Sequence, residues 1–263
     1  MINSQFLQDT FYIRQEDPEQ LLWSSPAAEL LQPGVMNSFL ELYGQRIKAL
    51  EPAAAAVYMG SWLGFLALGQ QYVLSAHNRC LDMSLDNLVI QLYEKDSYTL
   101  VSFKLGEGPE GSAPEELSAR EGWLGATLEA LYGCTLRPLL AAIAEASGVE
   151  IGQLWGQFPT KFNYYIDYLT SGDSPAELKE RIQEDYRYLR QELPAEVFGR
   201  KKNPLDVKVR MIESLKEPGK QMRMKNACCL YYRTEGGQYC YSCPRMKEEE
   251  RAKRREQARA ATV

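Results

Sequence analysis

The chain has 263 residues, of which 45% are hydrophobic and 25% charged, so it can bury a full core and is not a disordered segment. Six cysteines in a chain of this length do not suggest a secreted, disulfide-stapled mini-protein, and the single histidine, His77, excludes multi-histidine metal chemistry. The formal net charge of −5 hides an asymmetry, because residues 200–263 carry 17 Lys and Arg against 8 Asp and Glu, which leaves residues 1–199 strongly acidic.

The N-terminal residues contain no basic start followed by an apolar run, so we expect no secretory signal and a cytoplasmic location. The uncharged run 52–78 tests that expectation, because a membrane-spanning helix needs about 20 apolar residues. Gly60, Gly64 and Gly69 interrupt this run. The sequence therefore predicts a buried helix over 53–68 and no transmembrane segment.

Apolar residues recur at three- and four-residue steps over 35–50, which predicts an amphipathic helix before the buried one. Three short runs rich in β-branched and aromatic residues follow, at 72–76, 88–93 and 98–103, and each predicts a strand. The last two should form an antiparallel hairpin. Turn-forming residues over 106–114 predict a mobile loop.

Helical patterns resume after this loop, at 115–133, 136–147 and 150–170. Ser174 and Pro175, with Glu177 behind them, are typical of a helix N-terminus and predict a helix from 175 to 192. The predicted fold class is α+β, mostly helical with a small antiparallel sheet and a cysteine-rich C-terminal segment. The mixed charges of 247–259 are typical of an exposed, solvated helix.

Four of the six cysteines form a Cys-Cys-x10-Cys-x2-Cys array. They are Cys228, Cys229, Cys240 and Cys243. Four thiolates suit either one zinc ion or an iron–sulfur cluster. Zinc sites usually combine two Cys-x2-4-Cys turns, and only one is present here, whereas two irons would accommodate adjacent cysteines more easily. Spacing favours a cluster and leaves zinc open.

The stretch from Arg223 to Pro244, with its Cys-Cys-Leu-Tyr-Tyr-Arg and Cys-Tyr-Ser-Cys-Pro segments, resembles the C-terminal signature of the FhuF-like ferric-siderophore reductases. The resemblance implies a [2Fe-2S] cluster on all four cysteines. Upstream, a Leu-Trp-Gly-Gln segment ending at Gln157 resembles a Leu-Trp-Gly-Asn segment of such reductases. The upstream part of that family is similar to the C-terminal region of IucA/IucC-type siderophore synthetases, which implies an α+β body with a siderophore-sized cleft.

The activity implied by the resemblance is one-electron reduction of a ferric siderophore, which releases iron as Fe²⁺. The implied partners are an anionic siderophore of citrate, carboxylate or hydroxamate type and an electron donor such as ferredoxin, flavodoxin or a reductase, with no nucleic acid. Residues 1–110 would supply helices and the sheet, 111–199 a helical cleft and 200–263 the basic cluster-binding segment, as separate parts or as one continuous domain.

Basic residues next to the cysteines are candidates to bind an anionic chelate. They are Arg223, Lys225, Arg233 and Arg245. The same positive charge would suit the alternative function, a zinc-ribbon binding module whose basic flank contacts nucleic acid. A siderophore synthetase is a weaker third hypothesis, because it leaves the cysteines unexplained.

Overall fold

The computed structural model describes residues 2–106, 108 and 111–260. Its α+β fold is mostly helical, as predicted. The helices are α1 (Ser4–Phe11), α2 (Pro33–Arg46), α3 (Pro52–His77), α4 (Leu117–Glu129), α5 (Arg137–Ser147), α6 (Ile151–Trp155), α7 (Phe158–Ser171), α8 (Ala176–Gln191) and α9 (Glu248–Ala260). A π-helical turn, Ala130–Leu136, joins α4 to α5.

The strands are β1 (Ile13–Arg14), β2 (Leu21–Pro26), β3 (Arg79–Cys80), β4 (Leu88–Lys95), β5 (Tyr98–Leu105), β6 (Gly111–Ser112), β7 (Met211–Glu213) and β8 (Gln221–Arg223). One four-stranded sheet has the order β1-β5-β4-β2. Strands β4 and β5 form the predicted antiparallel hairpin. Its turn residues Asp96 and Ser97 both have positive φ angles, which suits the twist of a two-residue hairpin turn. The sheet is not wholly antiparallel, because β1 pairs with β5 in parallel.

The strand predicted at 72–76 is wrong, because these residues form the last turns of α3. Nothing between Gly69 and His77 stops the helix, which ends where Asn78 adopts the left-handed conformation. The side chain of Gln70 bonds both backbone groups of Leu81, so the chain after the helix folds back onto it.

Helix α3 has the length and hydropathy of a membrane span, yet 67% of its most apolar window is buried inside the protein. It contacts α2, α5, α7 and α8. The prediction of a buried helix is therefore confirmed, although the helix is longer than predicted. The helix has no charged residues because other elements pack against it on most sides.

The loop predicted over 106–114 falls partly on residues 107, 109 and 110, which lie outside the described residues. Gly111 and Ser112 are not loop but strand β6, paired with β3. The helix predicted over 150–170 is divided at residues 156–157 into α6 and α7. Helix α8 is confirmed, but Pro175 rather than Ser174 is its cap residue, and no side chain caps it.

A contiguous hydrophobic core joins these helices to the sheet and continues into the C-terminal segment, where Cys228, Leu230, Cys243 and Met246 belong to it. The predicted division at residues 110 and 199 stays a prediction. The C-terminal segment consists of the β7–β8 ribbon, a 3-10 turn at Tyr231–Arg233 and α9. It therefore relies on the body of the protein for much of its apolar packing.

Candidate metal centre

The cysteine segment, residues 225–245, is shaped by two tight turns. After Cys229 the chain reverses through Leu230, a non-glycine residue with a left-handed φ of 56°. Gly236 also has a positive φ, and a Cβ atom on Gly237 would lie 1.9 Å from the carbonyl oxygen of Tyr231. Only glycine fits at residue 237. The Gly-Gly sequence therefore folds the ten-residue spacer back and brings Cys240 and Cys243 towards Cys228 and Cys229.

The four thiols come together as two pairs. The Sγ atoms of Cys228 and Cys243 are 3.4 Å apart. The thiols of Cys229 and Cys240 share a hydrogen bond, and all four cysteines are free of disulfides. Two thiolates bound to one tetrahedral metal at about 2.3 Å lie roughly 3.8 Å apart, so the pair of Cys228 and Cys243 has nearly the spacing that one metal requires.

Each pair joins one cysteine of the adjacent doublet to one cysteine of the Cys-x2-Cys turn. This arrangement shows how adjacent cysteines avoid crowding a single ion, since they belong to different pairs. In the described part of the chain no three His, Cys, Asp or Glu side chains gather as a single-ion site. Two pairs of thiolates are the donor set of a two-iron cluster, with two cysteines for each iron, so the residues present fit that group.

The thiols differ in their proton affinity. A hydrogen bond from Cys240 and the nearby ammonium of Lys225 lower the pKa of Cys229 to about 5. Burial raises the pKa of Cys228 to about 11, and donation to Cys229 raises the pKa of Cys240. A metal binds the thiolate form of cysteine, so loading the site releases protons from the thiols whose pKa is raised.

Nitrogen donors point at the sulfurs. Backbone amides of Leu230 and Tyr231 donate to Cys228 and Cys229 respectively. The amide of Arg245 lies 3.4 Å from the Cys243 sulfur, and the Lys225 amine lies 3.5 Å from the Cys229 sulfur. Such N–H donors stabilise thiolates and are one of the means by which a protein tunes a cluster potential.

Residues at and beside the break between α6 and α7 support Cys228 through its backbone carbonyl group. The side-chain amides of Gln153 and Gln157 donate to the carbonyl oxygen of Cys228 at 2.5 and 3.2 Å. Gly156 permits this contact, because a Cβ atom there would lie 2.8 Å from Ala227. The amide of Gln157, whose role the Leu-Trp-Gly-Gln segment left undefined, thus positions a predicted ligand.

Helix α9 secures the Cys-x2-Cys turn and is not simply a solvated surface as expected. Its Arg251 is only 4% exposed, and it donates to the carbonyl oxygens of Tyr241, Cys243 and Met246 at 3.0 to 3.3 Å. Arg254 reaches the carbonyl oxygen of Tyr239 at 2.7 Å. The tail is helical as predicted, but its arginines satisfy carbonyls of the cysteine segment.

The four predicted chelate-binding residues have different surroundings. Arg223 pairs with Asp167, and Arg233 pairs with Glu51 at 2.7 Å. Arg245 donates to the hydroxyl of Tyr232 at 2.9 Å. Lys225 lies beside the Cys229 sulfur, where burial lowers its pKa but the nearby thiolates raise it more.

A cavity of about 280 Å³ opens at Cys229. Its lining comes from α3, α7 and the cysteine segment, and consists of Tyr58, Ser61, Trp62, Phe65, Lys161, Lys225 and Cys229. We call it the Cys229 pocket. Of these residues sequence reasoning predicted only Lys225 and Cys229, and it missed Lys161 because a single lysine on an aromatic helix gives no signal. For α9 a signal was present: Arg251, Arg254, Arg255 and Arg259 recur at helical spacing.

Residues 226–245 match the family model described as the FhuF 2Fe-2S C-terminal domain. The match contains all four cysteines and agrees with the resemblance noted from the sequence. No curated protein matches the chain. The family match points to a [2Fe-2S] cluster, which is the group that the two thiol pairs fit.

Proposed function

Starting from a chain that carries a FhuF 2Fe-2S C-terminal domain at residues 226–245, we propose that this protein is a ferric-siderophore reductase. The observation that carries the proposal is the pairing of four thiols next to an open pocket. A [2Fe-2S] cluster supplies one electron at a time, which is the chemistry that reduction of a ferric ion needs.

The redox step balances without any covalent change in the protein. One electron leaves the reduced protein and enters the chelated Fe³⁺, which becomes Fe²⁺. The hard oxygen ligands of a siderophore hold the larger, less charged ion far more weakly, so reduction releases the metal. A reduced donor of the ferredoxin, flavodoxin or flavin-reductase class restores the lost electron.

The residues of this chain have separable tasks in that step. Cys228 and Cys243, which are 4% and 1% exposed, would hold one iron inside the core. Cys229 and Cys240 would hold the other iron, with Cys229 in the pocket wall. Electron transfer is favoured by a short path, so the pocket side is where we place the chelate.

The basic residues near the cysteines support docking of an anionic chelate. Lys225 lines the Cys229 pocket, where its amine already lies 3.5 Å from the Cys229 sulfur. Arg223, Arg233 and Arg245 would contact the chelate only by exchanging their present partners, so we expect smaller contributions from them. Alanine variants of Arg223 and Arg233 should raise the Michaelis constant about twofold or less.

We place the protein in the cytoplasm, where electron donors of these classes work and cysteines stay reduced. The six free cysteines are compatible with such a reducing compartment. An anionic substrate of citrate, carboxylate or hydroxamate type is the class that the charge of the basic segment favours.

Anaerobic purification tests this function. We expect a red-brown protein with two irons and two sulfides per chain, whose visible absorption bleaches with dithionite. The reduced protein should then convert a ferric citrate–hydroxamate chelate to Fe²⁺, detected with a ferrous-specific chromogenic chelator. A colourless protein with stoichiometric zinc would falsify the proposal and would favour the zinc-ribbon alternative.

A further inference from the structure

The Cys229 pocket combines features that the proposed electron transfer does not by itself require. Three aromatic side chains of α3 form one wall, Tyr58, Trp62 and Phe65, and Lys161 of α7 lies against Phe65. The pocket also contains Cys229 and Lys225 of the cysteine segment. A ligand here would touch aromatic faces, two ammonium groups and a predicted cluster ligand together.

Two residues of α3, Phe65 and Gly64, hold Lys161 in the pocket. Its Nζ lies 3.5 Å from the centroid of the Phe65 ring, a cation–π contact. Its Cδ would lie 3.1 Å from a Cβ atom at Gly64, so the absence of a side chain at that position gives the lysine stem its path across α3. The lysine is therefore directed towards the aromatic wall.

Lys161 has the Cys229 thiolate as a neighbouring negative charge, and that thiolate is a predicted cluster ligand. Among the described residues no carboxylate lies within salt-bridge distance of it, whereas Arg223 and Arg233 both have acidic partners. Burial and the nearby Lys225 lower the pKa of Lys161 to about 7, which reflects the cost of keeping that charge there. A bound anion would offset part of that cost and favour the protonated lysine, so the group that faces an anionic ligand is the ammonium.

Aromatic surface continues outward from the pocket. The Phe65 ring lies 5.8 Å from Tyr165, which contacts Tyr164 and Tyr168. Tyr164 and Tyr168 are 66% and 58% exposed. Exposed aromatic side chains in a row are unusual for a surface without a ligand or partner. A siderophore is larger than a 280 Å³ cavity, and this row would contact the part that stays outside.

We propose that the Cys229 pocket is the docking site of the ferric chelate, and that Lys161 and Lys225 make it select chelates of net negative charge. This inference rests on the reductase function proposed above. The aromatic wall contacts the carbon skeleton of the chelate, whatever its charge. The two ammonium groups determine that chelates of negative charge bind more tightly. Lys161 is then a specificity-determining residue for the reduction.

Two ferric chelates of opposite charge test this selection, a trianionic citrate–hydroxamate complex and a linear trihydroxamate complex with a cationic terminal amine. Steady-state reduction by the cluster-loaded protein gives KM and kcat for each. We expect Lys161→Gln to raise KM for the anionic chelate about tenfold, as loss of one charge-assisted contact does, while the cationic chelate is unaffected or improves. Lys161→Arg should keep the preference.

Lys253→Gln is the matched control, because it removes one positive charge from an exposed position on α9. It should change neither KM. Ser61→Asp places a negative charge in the pocket and should reverse the order of preference between the two chelates. Visible absorption and melting temperature of every variant verify that the cluster and the fold are intact.

The outcomes separate the docking site from the function itself. If the wild-type protein reduces neither chelate, the proposed reductase function fails. If it reduces both, but Lys161→Gln and Ser61→Asp leave both KM values unchanged with intact clusters, the Cys229 pocket is not the docking site. If a variant changed KM by the same factor for both chelates, charge selection would be contradicted.

Discussion

Cys228 and Cys243 lie in the hydrophobic core with almost no exposed surface, whereas Cys229 and Cys240 are partly exposed and Cys229 borders a pocket. Side-chain N–H groups of Gln153, Gln157 and Arg251 fix the buried pair by donating to its backbone carbonyl oxygens. The outer pair is surrounded by titratable and aromatic side chains. This contrast supports a division of roles within the proposed reductase, in which the buried pair would anchor the cluster and the outer pair would exchange electrons.

The largest difference between the pairs should appear when one ligand is removed from each. We expect Cys243→Ser to abolish the cluster and to lower the unfolding free energy of the metal-free protein by about 1–3 kcal/mol, because it buries a hydroxyl. Cys229→Ser should lose or alter the cluster at a cost to the metal-free fold of at most about 0.5 kcal/mol. Visible spectra and denaturant unfolding measure both effects, and equal destabilisation would contradict the division of roles.

Removing the arginine behind the buried pair should come next in size. Arg251→Ala removes the guanidinium that donates to three carbonyl oxygens, so we expect a loss of about 2–4 kcal/mol in stability. The cluster should also be lost faster in air. Lys253→Ala, on the same helix but exposed, should stay within about 0.5 kcal/mol of the wild type. Thermal melts that do not distinguish these variants would show that α9 does not support the site.

A smaller effect is expected from Gln157→Met, which keeps a side chain of similar length and removes its N–H donors. Gln153 also bonds the Cys228 carbonyl oxygen, so the loss should be limited to about 1–2 kcal/mol. The cluster of this variant should decay faster in air than that of Gln183→Met, an exposed control on α8. Identical rates of cluster decay in the two variants would contradict a positioning role for Gln157.

The smallest expected effect is on the reduction potential and concerns only the outer pair, Cys229 and Cys240. Lys225→Met removes an ammonium 3.5 Å from the Cys229 sulfur. The reduced cluster carries one more negative charge, so its potential should fall by on the order of 50 mV, the equivalent of a lost contact of about 1 kcal/mol. A redox titration against Lys253→Met gives the comparison, and an unchanged or raised potential would contradict the assigned electrostatics.

The sequence predicted the parts of the site that depend on covalent spacing. The four cysteines were assigned from their array, and the hairpin of β4 and β5 followed from two β-rich runs with a short turn. The end of α3 was missed because residues 72–76 are rich in strand-forming side chains, yet they continue a helix that nothing interrupts. Local propensity was overridden by helix continuation and packing.

Contacts between distant segments were beyond the sequence. Gln157 and Cys228 are 71 positions apart, and only the fold shows that one donates to the other. Lys161 gave no sign of its surroundings, because Phe65 and Gly64 belong to another helix. The tail of mixed charge had the composition of a surface helix, and its buried arginine became evident only from the carbonyls it contacts.

The most direct test of the central claim is an anaerobic single-turnover experiment. Cluster-loaded protein is reduced with one electron equivalent, freed of reductant and mixed with excess ferric citrate–hydroxamate chelate. We predict that the oxidised visible spectrum returns as one Fe²⁺ appears per cluster. A reduced cluster that stays reduced, or Fe²⁺ that forms without cluster oxidation, would contradict the assignment of the four cysteines as the route of the electron.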